Sequence, residues 1–212
     1  DVEYIRAIAE PMLAHVERKG VRYTIYVLDN LMVNAFALPG GYLIFTTGLL
    51  REVENEAELA GIIGHEIAHV DKKHCIASLE RARALGLDIE DEETVAFFMK
   101  IAELPFHSAM EEQADIWGSE LAHKVGYSTF RSVHLFERWA NRNNEPQREG
   151  RAEKTIGQIK DILRGRVHPK NRRRACKLRQ KSYDFYRNYR HKLRYVGTTN
   201  LRRRIPLAQK VF

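Results

Sequence analysis

With 212 residues, 44% of them hydrophobic and 30% charged, the chain is one ordinary soluble, globular domain with room for an appendage. No apolar run reaches the roughly 18 to 20 residues that cross a bilayer, since the best stretch, Val95 to Phe106, is interrupted by Lys100, Glu103 and Pro105. The net charge of +7 is split unevenly: residues 1–165 carry 19 Lys+Arg against 27 Asp+Glu (−8), and residues 166–212 carry 16 against 1 (+15).

Residues 2 to 18 place Ile5, Ile8, Met12, Leu13 and Val16 at helical spacing ahead of Gly20, which predicts a first helix. VRYTIYVLDN (21–30) is rich in β-branched and aromatic residues and predicts a strand. The Pro39-Gly40-Gly41 turn separates two more short strands, over 33–38 and 42–46. Asn55 and Glu58 form a capping-box-like pair at the start of a helix that runs to about Val70. The acidic stretch 85–94 reads as a surface loop or helix start. Helices are expected over 94–103, 108–125 and 129–140, with Gly126 ending one and Ser128 capping the next. NRNNEPQREG is a polar linker. A helix over 152–164 and another after His168-Pro169 complete the prediction, and no internal repeat is present.

The helix from Leu59 to Val70 is apolar nearly all round except for His65, Glu66 and His69, so it belongs in the interior. Buried imidazoles and carboxylates need partners or a metal. His65 and His69 are four apart and direct two nitrogens to one point, while Glu66 projects about 100° away and can serve as a general base. A third ligand is still required. A glycine three residues after His69 and a histidine ten residues after His65 would complete one known pattern, but Lys72 and Cys75 stand there and His74 falls one position early. The alternative is a glutamate from a second helix. In SAMEEQADIWG (108–118), Glu111 and Asp115 share a helix face, so Glu111 can complete the metal shell and Asp115 can hold the outer nitrogen of a ligating histidine. Cys75 and Cys176 lie far apart, so no disulfide framework is indicated, although an exported chain has room for one bridge, and the absence of a CxxC argues against a structural cysteine-zinc site.

Several separate motifs stand in one order: Asn34-Ala35-Phe36-Ala37-Leu38-Pro39-Gly40-Gly41-Tyr42, Gly48-Leu49-Leu50, HEIAHVDKKH at 65–74, ExxAD at 111–115, Gly118, Gly126-Tyr127, and His168-Pro169 six residues before Arg174. On these the chain resembles the HtpX and CAAX-prenyl-protease family of zinc metallopeptidases, within the gluzincins, and is most similar to its soluble exported bacterial branch. His107-Ser108 replace the Ser-Arg pair that this family often carries ahead of its glutamate.

The resemblance implies an α+β fold, a mainly helical zincin-like domain over 1–182 with a small antiparallel sheet beside the active-site helix, followed by a basic C-terminal extension over 183–212. It implies one Zn²⁺ on His65, His69 and Glu111, with Glu66 as general base and Asp115 behind the ligands. His168 is expected at the mouth of the site, either stabilising the oxyanion or capping the metal, and Arg174 either anchors that loop or joins the oxyanion contacts. An edge strand at 42–46 is expected to pair with an extended substrate, giving Asn34, Ala35, Tyr42, Leu43, Ile44 and Arg174 as substrate-binding candidates. The implied reaction is hydrolysis of peptide bonds in unfolded or misassembled polypeptides. The chain begins at Asp1, which is compatible with a removed export signal or anchor, and an exported location, periplasmic or at a membrane face, is expected.

The rival reading is a catalytically silent zinc protein that works as a chaperone or scaffold through the basic tail. That tail suits an acidic partner or membrane surface. The Arg172-Arg173-Arg174 and Arg202-Arg203-Arg204 runs have no nucleic-acid-binding motif around them, so no nucleic-acid partner is expected.

Overall fold

The computed structural model describes residues 1–84, 108–142, 171–188 and 194–207. Helix α1 (Val2–Leu13) leads into strands β1 (Thr24–Leu28), β2 (Ala35–Leu38) and β3 (Tyr42–Thr46), and a short α2 (Thr47–Glu52) follows at once. The long helix α3 (Glu56–Asp71) is succeeded by α4 (His74–Ala84), α5 (Ser108–Lys124), α6 (Thr129–Arg142), α7 (Asn171–Asn188) and α8 (Thr198–Arg203). This is the expected α+β class, mostly helical with one small sheet. The helices expected over 94–103 and 152–164, the acidic stretch 85–94, the linker beyond residue 142 and His168 lie outside the described residues.

The sheet corrects the antiparallel expectation in one of its two pairings. Its order is β1-β3-β2. β2 and β3 form the expected antiparallel hairpin, with Gly40 (φ 90°) and Gly41 (φ 93°) making the left-handed turn that other residues resist. β1 runs parallel to β3, in register from Thr24 opposite Tyr42 to Leu28 opposite Thr46. Gly41 sets that register. Its carbonyl accepts from the Thr24 amide at 2.9 Å, and a Cβ there would sit 2.5 Å from the Arg22 carbonyl oxygen, so only glycine lets the two segments approach. The strand at 42–46 is therefore central rather than an edge, and β2 is the edge strand on the other side of the hairpin.

Helix α3 passes through the middle of the molecule. Asn55 caps it, its side chain accepting from the Glu58 amide at 3.0 Å, and the Glu58 carboxylate reaches back to the Glu54 amide at 2.9 Å. This is the anticipated reciprocal pair, displaced by one residue on the return bond. Its apolar surface packs against α1, β2, α5 and α6. One core joins Ile5, Ile8 and Met12 of α1 to Leu43 and Phe45 of β3, Ile63 and Ile67 of α3, and Leu121 of α5. α1 stops at Leu13 rather than residue 18 because Asp71, the last residue of α3, accepts from the backbone amides of Glu17 (3.0 Å) and Arg18 (2.7 Å). That capture pulls the chain out of helical geometry while Val16 stays in the core.

Candidate metal centre

Positions 65 and 69 are one helical turn apart on α3 and their rings meet edge to face, with centroids 4.6 Å apart. The two Nε2 atoms lie 3.0 Å from each other. α5 crosses this face and brings Glu111, whose Oε1 is 3.4 Å from His69 Nε2 and whose Oε2 is 3.7 Å from His65 Nε2. All three residues are buried. With zinc–nitrogen bonds of about 2.0–2.1 Å, tetrahedral ligand atoms lie about 3.3 Å apart, which these spacings match. Among the described residues they are the one group of His, Cys, Asp and Glu side chains so converged.

The approach of the two helices is set by glycine on both sides. A Cβ on Gly64 would lie 2.5 Å from the Gly118 carbonyl oxygen, and one on Gly118 would lie 2.5 Å from the His65 amide nitrogen. Backbone rests on backbone here, and Glu111, two turns before Gly118, is thereby held over the two histidines. Glu66, next in sequence to the first histidine, is buried on the same helix, near enough to Arg174 and Cys75 for its charge to act on both.

The outer nitrogens of the two histidines have different partners. His65 Nδ1 is 3.0 Å from Asp115 Oδ1, one turn beyond Glu111 on α5, as the i,i+4 spacing anticipated. Asp115 also receives a two-pronged bond from Arg174 of α7, Nε to Oδ2 at 2.8 Å and Nη2 to Oδ1 at 2.6 Å. Burial pushes the Asp115 carboxyl up, but the Arg174 charge and the hydrogen bonds from Arg174 and His65 outweigh it and hold the group down at about 2. Arg174 is buried, stacks on Phe136 at 4.8 Å, and also reaches Glu111 Oε2 at 3.2 Å and His65 Nε2 at 3.4 Å. The carboxyl groups of Glu66, Glu111 and Asp115 thus face a single buried guanidinium among the described residues. Such an arrangement favours a divalent cation.

His69 Nδ1 lies 3.1 Å from Nδ1 of His74, a residue that the sequence suggested only as a misplaced metal ligand. α3 ends at Asp71, Lys73 takes the left-handed conformation at φ 61°, and α4 begins at His74. This reversal folds the His74 ring back onto His69, centroids 5.0 Å apart. Burial lowers the His74 pKa, with Gln113 working against it. The signal available in the sequence was a third histidine just past the helix end. The position of its ring was not readable, because it depends on a left-handed residue that is not glycine.

Of the substrate-binding candidates, Ala35 lies on the edge strand β2, with Asn34 immediately before it, and Tyr42, Leu43 and Ile44 lie on the central strand β3. Leu43 points into the core and Tyr42 to the outer sheet face, where its ring is 6.3 Å from that of Tyr26. Arg174 is inside the metal centre.

Fold and site together define a helical zincin-like domain with a two-histidine, one-glutamate metal set. Comparison with known proteins agrees with this. The model for peptidase family M48 matches residues 1–182. The beta-barrel assembly-enhancing protease of Yersinia pestis is 31% identical over 84 residues, which is 40% of this chain and 17% of that protein. The mitochondrial metalloendopeptidase OMA1 of Arabidopsis thaliana is 28% identical over 141 residues, 61% of this chain and 28% of that protein. OMA1 of Saccharomyces cerevisiae is 25% identical over 154 residues, 68% of this chain and 45% of that protein. The chain belongs to peptidase family M48, a family of zinc-dependent metallopeptidases. It spans well under half the length of the first relatives named here.

Proposed function

We propose that the protein is a zinc-dependent endopeptidase that cleaves unfolded or misassembled polypeptides and so serves protein quality control. The observation that carries this reading is the convergence of His65 Nε2, His69 Nε2 and the Glu111 carboxylate within a few ångströms, with Glu66 buried beside them. Zinc held by those three side chains supplies Lewis-acid polarisation of a carbonyl and acidification of water. Glu66 is the group that takes a proton from the attacking water and returns it to the leaving amine. Asp115 and Arg174 keep the His65 ring and the Glu111 carboxylate in position and exclude water from behind them.

Extended substrate is read along the outer side of β2. Asn34, Phe36 and Leu38 pair with β3, as the bonds from Thr46 N to the Asn34 carbonyl (3.1 Å) and Gly41 N to the Leu38 carbonyl (3.4 Å) indicate. Alternation in an antiparallel ladder then turns the backbone groups of Ala35 and Ala37 away from β3; the Ala37 carbonyl accepts from the Cys75 thiol at 3.4 Å, so Ala35 is the proposed pairing point for substrate. Tyr42, Leu43 and Ile44 act in this reading by fixing the register of β2. Main-chain pairing of this kind confers little side-chain selectivity, which suits misfolded clients. His168 is retained as a catalytic candidate because Arg174, six residues later, belongs to the site.

The names of the relatives, an assembly-enhancing protease and a mitochondrial metalloendopeptidase, support a quality-control role and a location outside the cytosol or at a membrane face. No helix among the described residues is long and apolar enough to cross a membrane. The division at 182/183 falls within α7, so the basic extension is taken as continuous with the peptidase domain. Zinc analysis combined with casein cleavage tests the whole reading. Glu66→Gln should keep stoichiometric zinc and lose roughly 10²-fold or more of turnover. Full turnover by that variant would remove Glu66 as the base, and a zinc-loaded wild type that cleaves nothing would favour the silent scaffold.

A further inference from the structure

Two nitrogens 3.1 Å apart, Nδ1 of His69 and Nδ1 of His74, can share only one proton between them. His69 presents Nε2 toward His65 and Glu111, so as a neutral metal ligand it must carry its proton on Nδ1. His74 Nδ1 is then the acceptor. A neutral His74 with a bare Nδ1 carries its own proton on Nε2, and Nε2 lies 2.9 Å from Gln113 Oε1, an acceptor. Every atom in the series therefore has the polarity that metal binding requires, from His69 Nδ1–H to His74 Nδ1 and from His74 Nε2–H to Gln113.

We propose that His74 and Gln113 form a neutral hydrogen-bond relay that locks the metal-binding tautomer and ring orientation of His69. His74 is a positioning residue: it touches neither substrate nor reacting atoms. The two ligating histidines are thus held in two chemically different ways. His65 leans on the Asp115 carboxylate, itself neutralised by Arg174, and His69 leans on an uncharged imidazole. A second carboxylate behind His69 would add to Glu66, Glu111 and Asp115, whereas an imidazole orients the ring without adding charge. The relay leaves the interior at Gln113, which is exposed and, with His74, Lys72, Met110 and Trp117, lines a cavity of about 750 Å³. The backbone shows how the position is kept. Lys73 has φ 61°, a left-handed conformation that a non-glycine residue adopts only under strain and that turns the first residue of α4 back onto α3.

This inference rests on the metal set assigned above, and the two can fail separately. Zinc dissociation constants are measured by competition with a chromophoric chelator at fixed pH, with thermal unfolding as the control for folding. Glu111→Ala should bind zinc far more weakly than wild type; unchanged affinity there overturns the metal set itself. His74→Phe removes the acceptor and should weaken zinc binding roughly 10- to 100-fold. His74→Asn returns an acceptor oxygen near the former Nδ1 and should recover most of that loss, which a purely steric role for the ring would not. Gln113→Leu, at the exposed end, should cost only a few-fold. Should His74→Phe destabilise the fold, the imidazole ¹⁵N spectrum of the wild-type zinc protein decides the question instead. The expected pattern is a protonated Nδ1 on His69, together with a bare Nδ1 and a protonated Nε2 on His74. A proton on Nδ1 of His74, or a folded His74→Phe variant with wild-type zinc affinity, overturns the relay.

Discussion

Arg174 and Asp115 show how much a single buried pair can govern. The guanidinium is committed to Asp115 by two short bonds and to Glu111 by a third contact, all away from bulk water. Removing one partner of such a pair strands the other charge, at a cost of about 3–5 kcal/mol. Arg174→Met should lower the unfolding free energy by that amount, read from chemical denaturation of the zinc-free protein. The double variant Arg174→Met, Asp115→Leu should cost less than the sum of the two single changes, because neither member of the pair is left facing an absent partner, although Glu111 still loses its contact with the guanidinium. Additive losses would show that the pair is not coupled. Asp115→Asn keeps the shape but weakens the hold on the His65 ring, and zinc affinity should fall by roughly 10- to 100-fold. The identity of Asp115 was legible in the sequence, since i,i+4 spacing from Glu111 is a property of any helix. The Arg174 partnership was not, because 59 residues separate it from Asp115 and only the folded chain brings them together.

Between helices, the decisive feature is the glycine contact of α3 and α5. Gly64 and Gly118 let the two backbones touch, and that distance places Glu111 over the histidines. Gly118→Ala inserts a methyl where the His65 amide nitrogen would lie 2.5 Å away. Helix propensity favours the change by nearly 1 kcal/mol, but overpacking backbone against backbone costs about 1–3 kcal/mol and must be relieved by separating the helices. The expected outcome is a lower Tm together with zinc affinity reduced at least about tenfold. A variant that gained stability and kept its zinc would mean that the helices have slack at this crossing. The sequence displayed most elements here because their periodicity is local: α3 with its Asn55 cap, α5, α6 and the Pro39-Gly40-Gly41 hairpin all stand where expected. It did not reveal that β3 is central, since strand order follows from which segment packs beside which, and β1 and β2 have equal claims on periodicity alone. Nor did it reveal α4 with its His74, whose start depends on the left-handed turn at Lys73.

Across the whole molecule, the charge asymmetry takes on a structural meaning. The strongly basic C-terminal part is tied to the peptidase core by residues 194–207. Glu56, buried at the start of α3, accepts from the hydroxyls of Tyr4 and Tyr127 and from the Leu207 amide, while the amides of Glu56 and Ala57 donate to the carbonyls of Gly197 and Val196. One carboxylate thus holds α1, the α5–α6 connection and the C-terminal segment to α3. His123, in the last turn of α5, is a second fastening. It stacks on Phe185 at 4.6 Å, its Nε2 accepts from Arg194 Nη2 at 2.8 Å, and its carbonyl accepts from Arg194 Nη1 at 3.0 Å. Burial, then the Arg194 charge, lowers its pKa from 6.5 to about 4, and Glu120 only partly opposes them. The sign follows directly. Above pH 6.5 neither the folded nor the unfolded histidine is charged, and the contribution to stability is complete. Between pH 6.5 and 4 the unfolded chain takes up a proton that the folded chain refuses, so stability declines as pH falls through that window. A tenfold change in proton affinity corresponds to about 1.4 kcal/mol, and solvent screens part of the effect, so the loss should be of order 1–2 kcal/mol. Acid also releases zinc by protonating its ligands, so the measurement is a difference: Tm against pH for wild type and for His123→Gln, both zinc-free. The wild-type curve should fall more steeply between pH 6.5 and 4, and the protection factor of the Tyr195 amide, which donates to the Gly126 carbonyl, should decline over the same range once the intrinsic exchange rate at each pH is divided out. Parallel curves with an unchanged protection factor would mean that His123 accepts its proton without disturbing the C-terminal segment.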